Sequence, residues 1–256
     1  MRDKMPLDTL LASLFPAGHA VTVADGLISG EGPLTDGRLA VIGIDGDTAL
    51  GLEGACFLAG CVLDVVRAGG GRPILVLIDS DSQRMSRRDE LLGLNEYLAH
   101  LAKALLLADA QGHPTIGLLY GHSAAGAFIA TALATRVLAA LPGAHPSVMD
   151  LPSVARVTKL PLETLQDMAR STSVFAPGLD NMVQTGAVQA TLDPGKPLGP
   201  QIAALIADSP AVDTRDALGR ERGGRPLAHD IAAQVVREAQ VVRGAQDRVM
   251  REAPGA

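Results

Sequence analysis

The chain has 256 residues, a formal net charge of −6, 47% apolar residues and only 2% aromatic residues. This length suits one large domain or two small ones, and a core built mainly from Ala, Val, Leu and Ile suits an α/β protein. The acidic charge balance and the scarcity of aromatic rings argue against nucleic-acid binding and against sites that depend on aromatic stacking.

The apolar runs are too short for a membrane-spanning helix, which needs ~18 residues, and the first residues lack the continuous apolar core of a signal peptide. We therefore expect a cytoplasmic protein without a membrane span. Cys56 and Cys61 lie in an apolar segment with no His or other Cys nearby. We expect both to be buried thiols in a reducing compartment, and we expect no metal site.

Strand-like and helix-like segments alternate from the start of the chain. Leucines at helical spacing predict a short helix near residues 7–14, and alternating side chains predict a strand at 19–24. A strand at 39–44 is followed by an Asp-Gly-Asp sequence (45–47) that is typical of a hairpin turn. An apolar helix at 52–67 then ends at three glycines.

The alternation continues through the middle of the chain. An uninterrupted apolar strand at 74–78 precedes a polar loop at 79–88 and a long helix at 89–111. A strand at 115–120 leads into a turn of small residues and a helix at 127–138. Strands alternating with helices in this way are parallel and joined by right-handed crossovers. Sites of such sheets lie at the carboxyl ends of strands, so the polar loop and the small-residue turn mark the expected site.

The pattern changes beyond residue 141, where prolines separate short segments. We expect helices at 162–171, within 178–188 and at 201–207. The expected organisation is a main domain at 1–207, a mobile polar linker at 208–225 and an amphipathic C-terminal helix in 226–256.

The small-residue turn consists of Gly121, His122, Ser123, Ala124, Ala125 and Gly126. Two chemistries use such a turn between a strand and a helix. In the first, backbone N–H groups at the helix start form an oxyanion hole. In the second, Ser123 is the nucleophile of an α/β-hydrolase-type serine esterase.

The hydrolase alternative requires a catalytic acid and then a histidine later in the chain. The candidates for these roles are Asp150, Asp180, Asp193, His145 and His229. His145 precedes all three acids, and the final glycine of the G-x-S-x-G motif is Ala125 here. These departures favour the amides over the serine.

Longer stretches carry a family resemblance. Residues 74–79 (ILVLID) and 114–121 (PTIGLLYG) are similar to the carboxyltransferase branch of the crotonase superfamily. Residues 146–163 (PSVMDLPSVARVTKLPLE) and 174–181 (VFAPGLDN) resemble the γ subunits of malonate decarboxylases, and the similarity extends over about 36–206. The resemblance implies a crotonase-like spiral of ββα units with mostly parallel strands, plus C-terminal helices.

The resemblance also implies an enzyme subunit that is active only with a homologous β subunit, in a heterodimer or heterotetramer. Together they decarboxylate a malonyl thioester on an acyl carrier protein. That carrier has a phosphopantetheine-like arm derived from dephospho-CoA and is loaded by an acyl-carrier transferase subunit. No cofactor is expected on this chain itself, and biotin accepts the carboxyl group only in the biotin-dependent variant. A non-catalytic scaffold half, whose partner supplies all the chemistry, is a further alternative.

By position in the crotonase motif, the resemblance assigns the oxyanion hole to the amides of Ala124 and Ala125. Gly121, Ser123 and Gly126 then shape the turn. The family often has a Lys and a Ser in this turn, and this chain departs from that pattern. Backbone donors survive such a change of side chains, whereas side-chain chemistry does not.

Two further sets of side chains have open roles. His122 has three alternative roles. It protonates the carbanion as an acid, it contacts a carboxylate, or it is a turn residue held by local hydrogen bonds. Arg84, Arg87 and Arg88 in the polar loop either bind the phosphates of the carrier arm or form a solvated surface.

Overall fold

The structure is a computed structural model that describes residues 4–34, 37–173 and 177–252, with residues 244–252 described by their backbone alone. Residues 174–176 of one family-like stretch and 253–256 of the expected terminal helix lie outside these ranges. The strands are β1 (Thr22–Ala24), β2 (Leu27–Leu34), β3 (Gly37–Leu50), β4 (Ile74–Gln83), β5 (Thr115–Leu119), β6 (His122–Ala124), β7 (Val137–Ala140), β8 (His145–Ser147) and β9 (Ala190–Thr191).

The helices before the proline-rich region are α1 (Leu7–Leu14), α2 (Leu52–Ala68), α3 (Arg87–Leu91), α4 (Leu94–Ala110) and α5 (Ala125–Ala130). Of these, α1 and α2 agree with the expected short N-terminal helix and the expected apolar helix at 52–67. The later helices are α6 (Leu151–Thr158), α7 (Leu162–Ser171), α8 (Leu179–Gln184), α9 (Leu198–Ala207), α10 (Arg215–Glu221) and α11 (Ala228–Glu252).

One mixed sheet forms the centre of the fold, in the order β1-β2-β3-β4-β5-β7-β9. The β1–β2 and β2–β3 pairs are antiparallel, and the pairs from β3 onward are parallel. β6 and β8 form a separate parallel pair. The register places Ile44, Ile78 and Leu119 side by side, so the segments that follow them meet at one edge. The expected mostly parallel α/β sheet is confirmed.

The side chains of β4 show how the core is divided between the two faces of the sheet. Ile74, Val76 and Ile78 pack on the face covered by α2 and α4, and Leu75 and Leu77 on the face covered by α1 and α9. All five are buried. A strand covered on both faces needs this uninterrupted apolar run, which is why the sequence predicts it well.

The expected hairpin turn at 45–47 is wrong. β3 continues to Leu50 parallel to β4, where Thr48 pairs with Ser80 after a register shift. The Asp-Gly-Asp residues form a bulge-like irregularity, with Asp47 at a φ of 58°. Because the extended β3 supplies hydrogen-bonding partners, β4 also continues, into the expected polar loop as far as Gln83.

The expected helix at 127–138 is also wrong. α5 has six residues and ends at Ala130, and Val137–Ala140 form strand β7. β7 pairs with β5 on one side and β9 on the other, and all four of its residues are buried. Sheet pairing and burial therefore override the helix propensity of the alanines and leucines.

Two other expectations need correction on the α2–α4 face. The helix expected at 89–111 is divided at Gly93, whose φ is 82°, and Leu91 is exposed instead of joining the apolar stripe. Cys56 is exposed and Cys61 only partly buried, because the buried face of α2 is formed by Ala55 and the residues that follow it at helical spacing. The expectation of two buried thiols is therefore wrong.

The segment at 208–225, expected as a linker, contains α10. Gly219 of α10 is buried, and the Arg222 guanidinium donates to the carbonyl of Val183 at 2.8 Å. The division into a main domain, linker and terminal helix stays a prediction. None of the helices in the described ranges is both long and apolar enough to cross a membrane.

Candidate active site

A cavity of about 380 Å³ lies at the carboxyl edge of the sheet, where the segments after β4 and β5 meet. Its lining residues come from the N-terminal segment, the bulge in β3, the middle of β4, the turn after β5, the loop before β8 and the start of β8. They are Lys4, Asp47, Asp79, Gly121, His122, Gly143 and His145. Two residues of the predicted turn therefore lie in a cavity whose other walls come from distant parts of the chain.

Asp79 is the buried charge of this cavity, with a side chain 2% exposed. Its Oδ1 accepts from the His122 amide at 3.0 Å, and its Oδ2 accepts from the amides of Gly46 and Asp47 at 3.0 and 3.3 Å. The Lys4 ammonium group forms an ion pair with the same Oδ2. One carboxylate therefore joins the bulge of β3, the turn after β5 and the N-terminal segment.

The orientation of His122 follows from one hydrogen bond. Its Nδ1 lies 3.0 Å from the Ser80 carbonyl oxygen, which only accepts, so Nδ1 carries the proton. Asp47 Oδ1 lies 3.3 Å from the same nitrogen. The ring of His145 stacks on that of His122, with centroids 6.2 Å apart. Nε2 of His122 is left as the atom that can exchange a proton.

The backbone of the turn has an unexpected conformation. Ala125, the first residue of α5, has a φ of 48°, which is uncommon for a residue with a Cβ and costs ~1 kcal/mol or more. The Gly126 amide donates to Gln83 Oε1 at 2.8 Å. Among the described residues, no side chain accepts from the amides of Ala124 or Ala125, although Ala124 is paired with Ser147 of β8 in the short parallel ladder. The first N–H groups of a helix also lack partners within it.

Gly121 is required by the close approach of Asp79. A Cβ on Gly121 would lie 2.0 Å from Asp79 Oδ1. No ordinary side chain fits at that distance, so the glycine allows the turn to pack directly on the carboxylate.

Ser123 has the surroundings of a structural residue. It is fully buried, and its Oγ lies 2.8 Å from Ser80 Oγ. His229, a candidate base, is paired instead with Asp216 of α10, at 3.0 Å. A serine nucleophile needs a histidine as hydrogen-bonding partner and access to substrate, and this geometry supplies neither.

The sequence of this chain matches a known protein family. A family model described as malonate decarboxylase gamma subunit matches residues 46–239, which include the whole small-residue turn. The chain belongs to this family.

Solved structures extend the likeness to the three-dimensional fold. A Pseudomonas malonate decarboxylase hetero-tetramer in complex with coenzyme A contains a chain that is 26% identical, with a TM-score of 0.72 and coverage of 93% of this chain and 98% of that one. A Pseudomonas MdcD-MdcE hetero-dimer gives 25% identity, a TM-score of 0.72 and coverage of 90% and 98%. Transcarboxylase 12S shares the fold at 16% identity, a TM-score of 0.66 and coverage of 81% and 42%. These likenesses confirm the expected carboxyltransferase-type, crotonase-like fold.

A relative whose name states an activity matches this chain over a shorter length. The malonyl-S-ACP:biotin-protein carboxyltransferase MADD of Malonomonas rubra is 28% identical over 178 residues, which are 64% of this chain. The match spans only 61% of MADD.

Two arginines of the expected phosphate-binding loop form an ion-pair cluster with an exposed and a buried carboxylate. It consists of Arg84, Arg88, Glu53 and the buried Asp89 and is called here the arginine cluster. Arg84 donates to Asp89 Oδ2 at 2.7 Å and to Glu53 Oε2 at 2.6 Å, and Arg88 donates to Glu53 Oε1 at 2.6 Å. Arg87 is exposed and has no ion pair within the described residues. Two of the three guanidinium groups therefore already have carboxylate partners.

The charges of the arginine cluster shift one another's titration. The pKa of Glu53 is lowered to about 2, first by its own backbone N–H and then by Arg84 and Arg88. The hydrogen bond from Arg84 lowers the pKa of Asp89. The partner carboxylates raise the pKa of both arginines, led by Asp89 for Arg84 and by Glu53 for Arg88.

One set of side chains near the cavity has the composition of a cation site. Asp47, Asp81 and His122 each place one possible ligand atom within 4.8 Å of the others. Both aspartates are exposed, and exposed acidic groups commonly lie together without an ion. The expected absence of a metal therefore stays a prediction.

Proposed function

We propose that this chain is the γ subunit of a malonate decarboxylase. With a homologous β subunit, it converts a malonyl thioester on an acyl carrier protein into an acetyl thioester and CO₂. The observation that carries the proposal is the family match, because it includes the small-residue turn and every lining residue of the cavity except Lys4.

The chemistry requires a place for negative charge. When the bond between the carboxylate and the α-carbon breaks, CO₂ leaves and its electron pair remains as an enolate with charge on the thioester oxygen. The amides of Ala124 and Ala125 are the donors assigned to that oxygen. One preorganised donor of this kind commonly contributes ~10²–10³ in rate.

The enolate must then take a proton at carbon, and His122 is the proposed donor. Protonated His122 can release the Nε2 proton while its Nδ1–H stays bonded to the Ser80 carbonyl. Asp47 Oδ1 lies 3.3 Å from the same Nδ1, on the side of the ring away from the donating nitrogen.

The need for a partner subunit agrees with the exposed apolar side chains around α6 and α7. Only Leu165 is buried in these two helices. The exposed apolar side chains there are Val148, Met149, Val157, Leu160 and Leu162. Such a surface suits an obligate interface, which typically buries over ~2,000 Å². The partner is the β subunit, in a heterodimer or heterotetramer like the Pseudomonas relatives.

The carrier arm is the proposed substrate handle. It is a phosphopantetheine-like group on the acyl carrier protein, loaded by an acyl-carrier transferase subunit. The coenzyme A bound by the Pseudomonas hetero-tetramer contains such an arm, which supports this assignment. The likeness to MADD favours one alternative, transfer of the carboxyl group to a biotin protein.

Reconstitution tests the proposal. The malonyl-loaded carrier is incubated with this chain alone, with the β subunit alone and with both subunits, and released CO₂ and acetyl carrier are measured. We expect activity only in the last mixture. Biotin-dependent product would establish the transferase alternative. Activity of this chain alone would contradict the requirement for two subunits. Full activity of the assembled complex after removal of the Ala125 N–H would support the alternative that this chain is a non-catalytic scaffold.

A further inference from the structure

The inference concerns Asp79, which lies at the cavity but has no part in the proposed bond-breaking step. We propose that Asp79, with Lys4 as its counter-ion, is the positioning residue that holds the bulge of β3 and the turn after β5 in their active geometry. The role in catalysis rests on the proposed function, whereas the structural clamp can be measured without it.

Asp79 accepts hydrogen bonds from the backbone amides of two separate loops. The amides of Gly46 and Asp47 bind one carboxylate oxygen and the amide of His122 binds the other. The first loop carries the Asp47 carboxylate and the second carries the His122 ring. The 3.3 Å separation between Asp47 Oδ1 and His122 Nδ1 therefore depends on Asp79.

A carboxylate fits this position better than its neutral isostere. Both oxygens accept, and hydrogen bonds to an ionised acceptor are about twice as strong as neutral ones. In Asp79→Asn, one oxygen becomes an NH₂ group that would face a backbone N–H. One loop would lose its acceptor and the buried amide hydrogens would oppose each other.

Lys4 provides the charge that a buried carboxylate requires. Its ammonium group pairs with Asp79 and lies 6.0 Å from the ring centroid of Tyr120. The Tyr120 hydroxyl donates to Asp45 Oδ1 at 2.8 Å, and burial raises its pKa, so the phenol stays neutral. Lys4 is therefore the cation next to Asp79.

Lys4 reaches Asp79 from a part of the chain 75 residues away. Lys4 lies outside the residues 46–239 that match the family model. Helix α1 directly after it is anchored by buried Leu10 and Leu14, and Ser13 Oγ accepts from the Leu198 amide at 3.1 Å. The N-terminal segment thus brings a cation to the site from a fixed position.

The test uses Asp79→Asn, Lys4→Met and Lys4→Arg in the full chain assembled with its β subunit and carrier. We expect Asp79→Asn to lower kcat about tenfold to hundredfold, because small displacements of catalytic groups cost this much. Lys4→Met should lower kcat by less, and Lys4→Arg should restore it. The KM for the malonyl carrier should stay within about threefold of wild type, since neither residue is proposed to bind the arm. The exposed pair of Asp193 and Lys196, 3.1 Å apart, supplies the matched controls Asp193→Asn and Lys196→Met.

A second measurement separates this proposal from the proposed function. Amide hydrogen exchange, followed by NMR in the full chain, should show faster exchange at Gly46, Asp47 and His122 in Asp79→Asn, with other core amides unchanged. This result would support the clamp even if the assembled wild type had no decarboxylase activity. The proposal would be overturned if Asp79→Asn showed wild-type exchange rates at these amides and a wild-type kcat. If Asp79→Asn does not fold, the two Lys4 variants provide the test. Equal kcat values for Lys4→Met and Lys4→Arg would overturn the proposed role of Lys4 as counter-ion.

Discussion

Two charged clusters lie close together along the chain but differ in what they hold. At the cavity, the Asp79 carboxylate accepts from three backbone amides, so its charge is coupled to the path of the main chain. In the arginine cluster, Arg84 and Arg88 bind the exposed side chain of Glu53 and the buried side chain of Asp89, which accepts from one backbone amide, that of Leu52, at 3.4 Å.

The difference indicates where each cluster acts. Asp79 bonds main chain from two loops and so determines the geometry of a site, whereas Arg84, Arg88 and Glu53 are exposed, and exposed ion pairs contribute little to stability because water and salt screen them. We therefore expect changes around the cavity to alter kcat, changes in the arginine cluster to alter acid stability, and loss of the neighbouring exposed Arg87 to alter carrier binding. Each prediction below tests one side of this contrast.

The largest effect is expected from removing one backbone donor at the turn. Replacing Ala125 with lactic acid turns its N–H into an ester oxygen while the side chain and the left-handed backbone are retained. If this amide stabilises the enolate, kcat should fall ~10²–10³-fold. The measurement is single-turnover CO₂ release by the assembled complex.

The same ester at exposed Ala211 is the control and should leave kcat unchanged. A proline at 125 would not test the donor, because its φ near −65° conflicts with the observed 48°. Wild-type turnover in a folded ester variant would remove Ala125 from the oxyanion hole.

The second prediction concerns carrier binding. Arg87 is exposed and not engaged in the arginine cluster, so it is the arginine best able to meet a phosphate. Arg87→Ala should raise the KM for the malonyl carrier about tenfold, or ~1.4 kcal/mol, with kcat nearly unchanged. Combining it with Arg84→Ala and Arg88→Ala should add little. Arg67→Ala, at an exposed arginine paired with Asp64 on α2, is the control. An unchanged KM in the triple variant would make the loop a solvated surface.

The strands that hold the site could be predicted because their signal is local. The apolar run at 74–78 has to be buried on both faces, and the bounds of α7 agree with the helix expected at 162–171. The position of Asp79 directly after a buried strand also placed it at the carboxyl edge.

The rest of the site depends on contacts between distant residues. Val137–Ala140 become a strand because β5 and β9 lie on either side, which helix propensity cannot indicate. Lys4 and Asp79 are 75 residues apart, and no spacing rule joins them. The conformation of Ala125 is imposed by the surrounding structure, since a sequence pattern would place glycine at a positive φ.

The third prediction tests the hydrolase alternative. Ser123→Ala retains the backbone donor but removes the hydroxyl that bonds Ser80. We expect less than about a tenfold loss of kcat and ~1 kcal/mol lower stability, because the buried Ser80 hydroxyl loses its partner. Chemical denaturation and the reconstituted assay measure the two effects. A nucleophilic serine predicts a loss of ~10⁴-fold or more, so an inactive but folded variant would reverse the assignment.

The smallest expected effect is on stability in acid. The pKa of Glu53 falls from an ordinary 4.5 to about 2 in the folded protein. The stabilisation linked to this shift is fully present above pH 4.5 and is lost as the pH falls towards 2. The effect is small because both partners are largely exposed.

Replacing Arg84 and Arg88 with methionine should remove part of this pH dependence, since the contribution of the Glu53 backbone N–H remains. The Tm of the variant should therefore fall less steeply than that of wild type between pH 4.5 and 2. Arg170→Met, at an exposed arginine paired with Asp167, is the control for loss of a surface charge. Parallel Tm curves for the double variant and wild type would show that the arginine cluster does not influence folding in acid, and would leave Asp79 as the charge whose surroundings matter.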